Sequence, residues 1–303
     1  MTEELTDITI EQDAELPTWF GIGGRADRLA RPASVEELLR CVELDPELRV
    51  LGDGANLLVD DAGVGELVVS LQTDGFRRVE WDASGRVFAG AGVALPRLIN
   101  QCVSRGLGGL EGLAGIPATV GGATVMNAGG AFGEFGASVA LVHAVDRGGR
   151  EHDIPRERID FGYRRSRLNH LIVTGVEVHL TPGDPEDLRA ELMRCMDHKK
   201  STQPLADRSA GCAFKNPTLG RPIEGIGEAG QRVSAGMLLD RAGCKGLGAG
   251  GATVSDWHAN FIVTTADARA RDVIEVMDLA AARVLDAFGV TLEREVVVWT
   301  RSA

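Results

Sequence analysis

From Gly106 to Gly136 the chain reads GLGGLEGLAGIPATVGGATVMNAGGAFGEFG, eleven glycines in 31 residues. Such a density disfavours any long helix or regular sheet, because each glycine loses the most backbone freedom on ordering. A disordered linker would be more polar, and this stretch interleaves its glycines with leucine, isoleucine, valine and phenylalanine. No repeat period runs through it. It therefore predicts ordered, irregular backbone wrapped around something. The 39 glycines of the chain exceed ordinary usage and gather in short loops of this kind, where turns are tight or backbone approaches a ligand.

At 303 residues the chain is longer than one hydrophobic core usually covers, which predicts two or three domains. Its 44% apolar and 25% charged content is that of a soluble globular protein. A net charge of −12 argues against a nucleic-acid partner, which needs a basic face. It leaves room for a local basic pocket. The only lysines, Lys199, Lys200, Lys215 and Lys245, fall in one 47-residue window, which fits either chance in an arginine-rich chain or the lining of an anion site. Five cysteines (41, 102, 195, 212 and 244), with no CxxC and no signal-peptide pattern ahead of them, predict a reduced, cytoplasmic protein without disulfides. Six histidines without HxH or HExxH spacing make a metal site unexpected. No apolar run approaches the roughly 18 residues of a membrane helix, so no membrane insertion is expected.

Periodicity places the elements. LARPA is a short strand stopped by Pro32, and SVEELLRCVEL (34–44) is a helix with Ser34 and Glu37 set as a capping box. ELRVLGDGANLLV is a strand, a Gly-rich turn and an apolar segment. GELVVSL (65–71), FRRVEWD (76–82) and GRVFAGAGV are strands, the last two joined through a D-A-S-G turn. LPRLINQCVSRG (95–106) is an amphipathic helix. SVALVHAVDRGGREHDI is a hairpin turning at Gly148-Gly149. LIVTGVEVHL (171–180) is a strand and PEDLRAELMRCMDHKKS (185–201) a helix. After the connector-like STQPLAD come a short helix in SAGMLLDRAG, a strand in HANFIVT, a long helix over 266–288 and a last strand in TLEREVVVW. Strands and helices mix without a repeating β-α-β order, so the class is α+β.

Three Gly-rich loops compete as phosphate sites. FGIGGRAD (20–27) lacks the last glycine of GxGxxG and opens a strand, which speaks against a dinucleotide fold. GDGANLLV (52–59) follows a strand and offers successive backbone N–H groups to a phosphate oxygen. GIPATVGGATVMNAGG (115–130) offers more. Each is a plain tight turn on its own; two within 80 residues favour a bound pyrophosphate. Cys212, in SAGCAFKNP (209–217), is locally undecided between nucleophile, proton donor, metal ligand and apolar filler.

Taken in order, the segments TWFGIGGRA, LGDGANLLV, GLEGLAGIPATVGGATVMNAGGAFGE, FGYRRS (161–166), SAGCAFKNP, AGCKG (242–246), HANFIV (258–263) and LEREV (292–296) resemble the UDP-N-acetylenolpyruvoylglucosamine reductase (UDP-N-acetylmuramate dehydrogenase) family, nearly end to end. The short spacing from YRRS to KKSTQP resembles its compact subtype. The resemblance implies an FAD-binding domain over 1–200, of the vanillyl-alcohol-oxidase (PCMH) type, in two subdomains meeting near 71. It implies a UDP-sugar-binding domain over 201–303. Non-covalent FAD is expected, since the Gly loops hold no histidine or cysteine. Its implied contacts are Gly52, Asp53, Gly54, Ala55, Asn56 and Leu57 in the first loop. In the second they are Gly115, Ile116, Pro117, Thr119, Gly121, Gly122, Ala123 and Asn127. The sequence departs from the family at Ala118, usually glycine, at Asp53 and Ala55, usually Gly and Ser, and at Thr264, usually asparagine. An alanine at 118 requires negative φ, and Asp53 adds charge beside a pyrophosphate.

The implied reaction is reduction of an enolpyruvyl ether to UDP-N-acetylmuramate for peptidoglycan, with NADPH as reductant. It needs a proton donor to carbon and a cationic clamp for a carboxylate. On the family register these are Cys212, where serine is usual, and Arg164, with Glu295 as an acid toward the enol and Tyr163, Lys215, Asn216 and Lys200 toward the substrate. A thiol is a better acid than a hydroxyl and stays mostly protonated at neutral pH. A monomer is the default expectation. The alternatives are an FAD-dependent oxidase or dehydrogenase of small alcohols on the same fold, and a catalytically inactive UDP-sugar-binding module.

Overall fold

The computed structural model describes residues 8–301. The chain forms two compact units. The first takes the described residues up to Ala14, then 26–53 and 65–199; the second takes 15–25, 54–64 and the chain from Lys200 onward. A single cut near residue 200 therefore misses two short N-terminal excursions into the second unit. Nothing in their local sequence marks them: 15–25 bonds to 54–64, which in turn pairs with residues more than two hundred positions away.

The first unit is built on two sheets. One has four strands in the order Ile10–Ala14, Ala26–Ala30, Val64–Ser70, Arg49–Leu51, antiparallel at the first pair and parallel at the last. Helix α1 (Val35–Leu44) accompanies it. The Ser34 hydroxyl accepts the Glu37 N–H at 3.3 Å, and the Glu37 carboxylate accepts the Ala33 N–H at 2.7 Å, so the expected box closes one residue early. The other sheet is wholly antiparallel, in the order Glu151–Pro155, Val139–Asp146, Leu171–His179, Arg86–Gly90, Val79–Trp81. Its hairpin turns at 147–150, as the Gly-Gly pair predicts.

Helix α2 (Leu95–Ser104) packs Leu98, Ile99, Cys102 and Val103 into the core of this unit. The glycine-dense stretch contains a short helix that periodicity does not reveal, α3 (Val120–Met126). Two glycines in seven residues disfavour it locally. Tertiary bonds hold it: the Val120 and Gly121 N–H groups donate to Val93 and Ala91 carbonyls at 2.8 and 2.9 Å. Gly121 is required there, since a Cβ would lie 2.9 Å from the Ala91 Cβ. The unit ends in α4 (Pro185–Thr202), whose last residues pass into the second unit.

The second unit packs α5 (Ala235–Arg241) and α6 (Ala270–Phe288) with a three-stranded antiparallel sheet of Gly248–Ala249, Ala252–Val254 and Ile262–Thr264. Along α6 the residues Val273, Val276, Met277, Ala280 and Val284 are buried, the three-and-four spacing of one apolar face. The excursion 54–64 is tied in twice. Leu57–Val59 pairs in parallel with Val297–Trp299, and the Asp61 carboxylate accepts the Ala270 and Arg271 N–H groups at 2.9 and 3.2 Å, capping α6.

Two predicted strands are shorter than the sequence suggests. HANFIVT is strand only from Ile262, because Phe261 closes a turn onto the His258 carbonyl. TLEREVVVW splits its pairing: Glu293–Glu295 lie against residues 213–215, and only Val297–Trp299 runs in a ladder. No helix among the described residues is long and apolar enough to cross a membrane.

Candidate active-site elements

In the first unit, Gly52, Thr119 and Gly122 converge. A Cβ at Gly52 would meet only the Thr119 Oγ1, at 3.1 Å, and a Cβ at Gly122 only the same oxygen, at 3.4 Å. Bare backbone thus faces one hydroxyl with no other protein atom filling the glycine side, a cradle suited to a close-lying group. The Gly122 N–H donates to Thr119 Oγ1 at 3.2 Å. Ala118 keeps a negative φ, as an alanine there must.

Several expected cofactor contacts also make hydrogen bonds or packing contacts within the protein. The amides of Val120, Gly121 and Gly122 are spent on Val93, Ala91 and Thr119, so the α3 N-terminus does not offer the row of donors that the sequence suggests. Gly115 turns with φ +69°, and a Cβ there would press on Met196 Sδ at 2.8 Å. Ala123 is buried in the core, and Leu57 is buried in the second unit. Gly54 belongs to that unit too, and its carbonyl accepts the Trp19 N–H at 3.1 Å. Asn56 donates its side-chain amide to the Glu295 carbonyl at 3.1 Å, and its own carbonyl accepts the Val297 N–H at 3.0 Å. Asp53, Ala55, Ile116 and Pro117 are half-buried in their loops.

Asn127 is the clearest departure. It is fully buried, in the left-handed region at φ 43°, and its amide bridges two segments. Nδ2 donates to the Gly162 carbonyl at 2.9 Å, and Oδ1 accepts the Gly136 N–H at 2.9 Å. Its side chain therefore serves the protein, at the foot of the turn that carries Arg164. That turn is a two-residue loop. Gly162 and Arg165 exchange backbone hydrogen bonds at 2.9 and 3.0 Å, leaving Tyr163 and Arg164 at the tip. Arg164 has φ +53°, the region that turns of this shape usually give to glycine. Its guanidinium lies over the Tyr163 ring at 5.3 Å. On the far side the buried Ser166 hydroxyl donates to the Val125 carbonyl at 2.7 Å, a second tie to α3. Arg165, the competing guanidinium, pairs with Asp160, as does Arg167.

In the second unit, Cys212 begins a short extended segment between two others. Cys212 bridges Phe261 on one side, and Phe214 bridges Arg294 on the other. The Ala213 N–H donates to the Asn260 carbonyl at 2.7 Å, and the Ala213 carbonyl accepts the Glu295 N–H at 2.8 Å. Glu295 thus sits opposite the residue after Cys212. Lys215 Nζ is 2.6 Å from Glu293 Oε1, and Lys245 pairs with Asp240, so at least two of the four clustered lysines already face carboxylates. Asn216 Oδ1 accepts the Ala235 N–H at 2.9 Å, fixing the start of α5. Lys200 stands where α4 enters the unit. Thr264, at the position where asparagine is usual, donates its hydroxyl to the Phe20 carbonyl at 2.9 Å. Cys212 is the half-buried cysteine; the other four are buried. Burial pushes the Cys41 and Cys102 thiols up to about 11 and about 12, and raises those of Cys195 and Cys244.

A residue that the sequence quoted without singling out is Asn260. It is 3% exposed, and its amide brackets one residue of the Cys212 segment: Oδ1 accepts the Phe214 N–H at 2.9 Å and Nδ2 donates to the Phe214 carbonyl at 2.8 Å. An amide inside the apolar run ANFIV is the signal, since a buried amide must find partners.

Residues 26–154 match the family described as FAD binding domain, which with the mixed sheets and helices makes the chain an α+β flavoprotein. Residues 203–299 match the family described as UDP-N-acetylenolpyruvoylglucosamine reductase, C-terminal domain. A UDP-N-acetylenolpyruvoylglucosamine reductase of Moorella thermoacetica is 40% identical over 98% of this chain and 94% of its own. One of Desulfosudis oleivorans is 39% identical over 93% and 91%. The crystal structure of the Thermus caldophilus reductase superposes with a TM-score of 0.81 at 39% identity, over 97% of this chain and all of that one. The chain belongs to the UDP-N-acetylenolpyruvoylglucosamine reductase family, oxidoreductases of peptidoglycan precursor synthesis.

Proposed function

We propose that the protein is an NADPH-dependent, cytoplasmic reductase that converts UDP-N-acetylglucosamine enolpyruvate to UDP-N-acetylmuramate, with Cys212 as proton donor. The observation that carries this reading is the Cys212 segment: a half-buried thiol on a segment bridged to Phe261 on one side and Arg294 on the other, with Glu295 hydrogen-bonded to the next residue. Gly52, Thr119 and Gly122 would hold part of the FAD, with Asp53, Ile116 and Pro117 around them. Bound there, FAD would supply the hydride-transfer chemistry between NADPH and the enolpyruvyl group.

The residues then have separable tasks. Arg164 binds the substrate carboxylate, where a fork of fixed donors holds growing negative charge. Tyr163 stiffens that guanidinium by stacking. Cys212 gives its proton to the carbon beside the carboxylate, and its sulfur leaves the step as thiolate. Glu295 donates a hydrogen bond to the enolate oxygen in its protonated form, as a carboxyl can when shielded from water. Lys215, Asn216 and Lys200 are substrate-side candidates, Lys200 for the diphosphate.

Separate half-reactions test this. Cys212→Ala should leave flavin bleaching by NADPH unchanged and slow reoxidation by the enolpyruvyl sugar by roughly 10²- to 10⁴-fold, the usual worth of a general acid. Equal losses in both halves, or none, would overturn the assignment. Oxygen uptake with small alcohols and no reoxidation by the sugar would point to an oxidase. A protein that stays colourless after reconstitution with FAD would point to a binding module.

A further inference from the structure

We infer that Asn260 is the positioning residue for the Cys212 thiol; this rests on the proton-donor reading of Cys212 and adds to it the device that places the sulfur. The Cys212 segment is not part of a long ladder. It is tied by single bridges, at Cys212–Phe261 and Phe214–Arg294. On its N-terminal side stands Gly211, with φ +77° and no atom within 4 Å of where a Cβ would be. That residue has no packing on its Cβ side, whereas the segment beyond Cys212 is hydrogen-bonded on both edges.

There Asn260 makes four hydrogen bonds. Its carbonyl accepts the Ala213 N–H at 2.7 Å, its side chain closes on both polar groups of Phe214, and its own N–H donates to His258 Nδ1 at 3.2 Å. The His258 ring is itself held, edge-on to Phe261 at 4.9 Å between centroids, and close enough to Gly236 that a Cβ there would lie 2.9 Å from Cε1. The side-chain amide thus behaves as one more strand residue, fixing the backbone two positions beyond the sulfur. Proton transfer to carbon needs the donor within a few tenths of an ångström of its line, so slack in this clamp is felt in that step and not in flavin reduction.

Two variants separate positioning from mere stability. Asn260→Asp keeps the acceptor for the Phe214 N–H and loses the donor to its carbonyl; Asn260→Leu loses both at similar volume. In FAD-loaded enzyme, Asn260→Leu should slow flavin reoxidation by the enolpyruvyl sugar by roughly 10- to 100-fold, with Asn260→Asp between it and the parent, while reduction by NADPH stays within about twofold. The Cys212→Ala/Asn260→Leu double variant should be no slower than Cys212→Ala, because a clamp has nothing to place once the thiol is gone. Alkylation of Cys212 by iodoacetamide, followed by mass spectrometry of the holoenzyme, should change in rate by at least about fivefold in Asn260→Leu. Additive losses in the double variant, parallel losses in both half-reactions, or an unchanged alkylation rate would each overturn the inference. Should Cys212→Ala reoxidise at the parental rate, the proton-donor reading fails and takes the catalytic part of this inference with it. The alkylation rate still decides whether Asn260 places the sulfur.

Discussion

The turn that carries Arg164 and the segment that carries Cys212 are both held by a buried asparagine, yet they distribute strain in opposite ways. At the turn Arg164, the proposed carboxylate clamp, itself occupies the left-handed region, at φ +53°, and the asparagine beneath it, Asn127, is left-handed too. In the other segment the left-handed position falls on Gly211, next to Cys212, and Asn260 is in ordinary backbone. A non-glycine residue in that region costs about 1–2 kcal/mol. The first unit therefore keeps its arginine in a strained place because two ties to α3, through Asn127 and Ser166, over-determine the turn. The second keeps its thiol unstrained and relies on a clamp at one end. A non-glycine residue held at positive φ needs surroundings that fix it, whereas a glycine at that φ takes the strain from its neighbour and leaves the segment to be fixed by other bonds.

The sharpest way to break this comparison is Arg164→Gly. It removes the guanidinium and relieves the turn, so turnover should fall roughly 10²-fold, the loss of a charge-assisted pair, while Tm holds or rises. A Tm that drops with activity would show that the Arg164 side chain, and not the anchors to α3, holds the turn. Asn127→Asp comes next. It keeps the acceptor for Gly136 and loses the donor to Gly162, at a cost of about 1–3 kcal/mol in thermal unfolding. With FAD retained and KM for the enolpyruvyl sugar raised, Asn127 belongs with Arg164; loss of FAD would return it to the cofactor, where family resemblance alone puts it.

A pH series tests the other clamp. Burial lowers the His258 pKa from its ordinary value of 6.5, and the ring accepts the Asn260 N–H through Nδ1, which requires the neutral form. The unfolded chain binds the proton more readily, so stability is complete above about pH 6.5 and declines as pH falls through the window down to the lowered folded-state value. Thermal melts of the parent should show that acid limb, and His258→Gln should flatten it. Gly211→Ala is the smallest effect and the mirror of Arg164→Gly. With open space around the Cβ, its cost is backbone strain alone, about 1–2 kcal/mol in urea unfolding. A neutral outcome would mean that the backbone at 211 moves to a negative φ, and with it the start of the Cys212 segment.

Much of this was legible in the sequence. Ser34 with Glu37 marks the start of α1 through local hydrogen bonding, and local signals survive in any fold. Helix α3 was not legible, because Gly121 is there for contact with Ala91 and the first amides of the helix bond to a neighbouring strand end. Nor was the splitting of the last strand, whose alternation is the same whichever partner it pairs with. The site divides in the same way. For the site, family resemblance pointed to Cys212, Arg164 and Glu295, where local sequence left their roles open. Loops of glycine and asparagine do not say whether their amides face a ligand or the protein, and the hydrogen bonds that Asn56, Gly121 and Asn127 make to distant segments are not readable from them.

Composition, periodicity and motif order carry the α+β class and the family. Tertiary packing alone brings residues 15–25 and 54–64 into the second unit, sets Asp61 as the cap of α6, and closes two buried amides on the segments of Arg164 and Cys212. The physical reason is that side-chain type and periodicity are local properties. The partner of a backbone N–H or carbonyl is chosen across the whole chain, among every group that packing brings within about 3 Å.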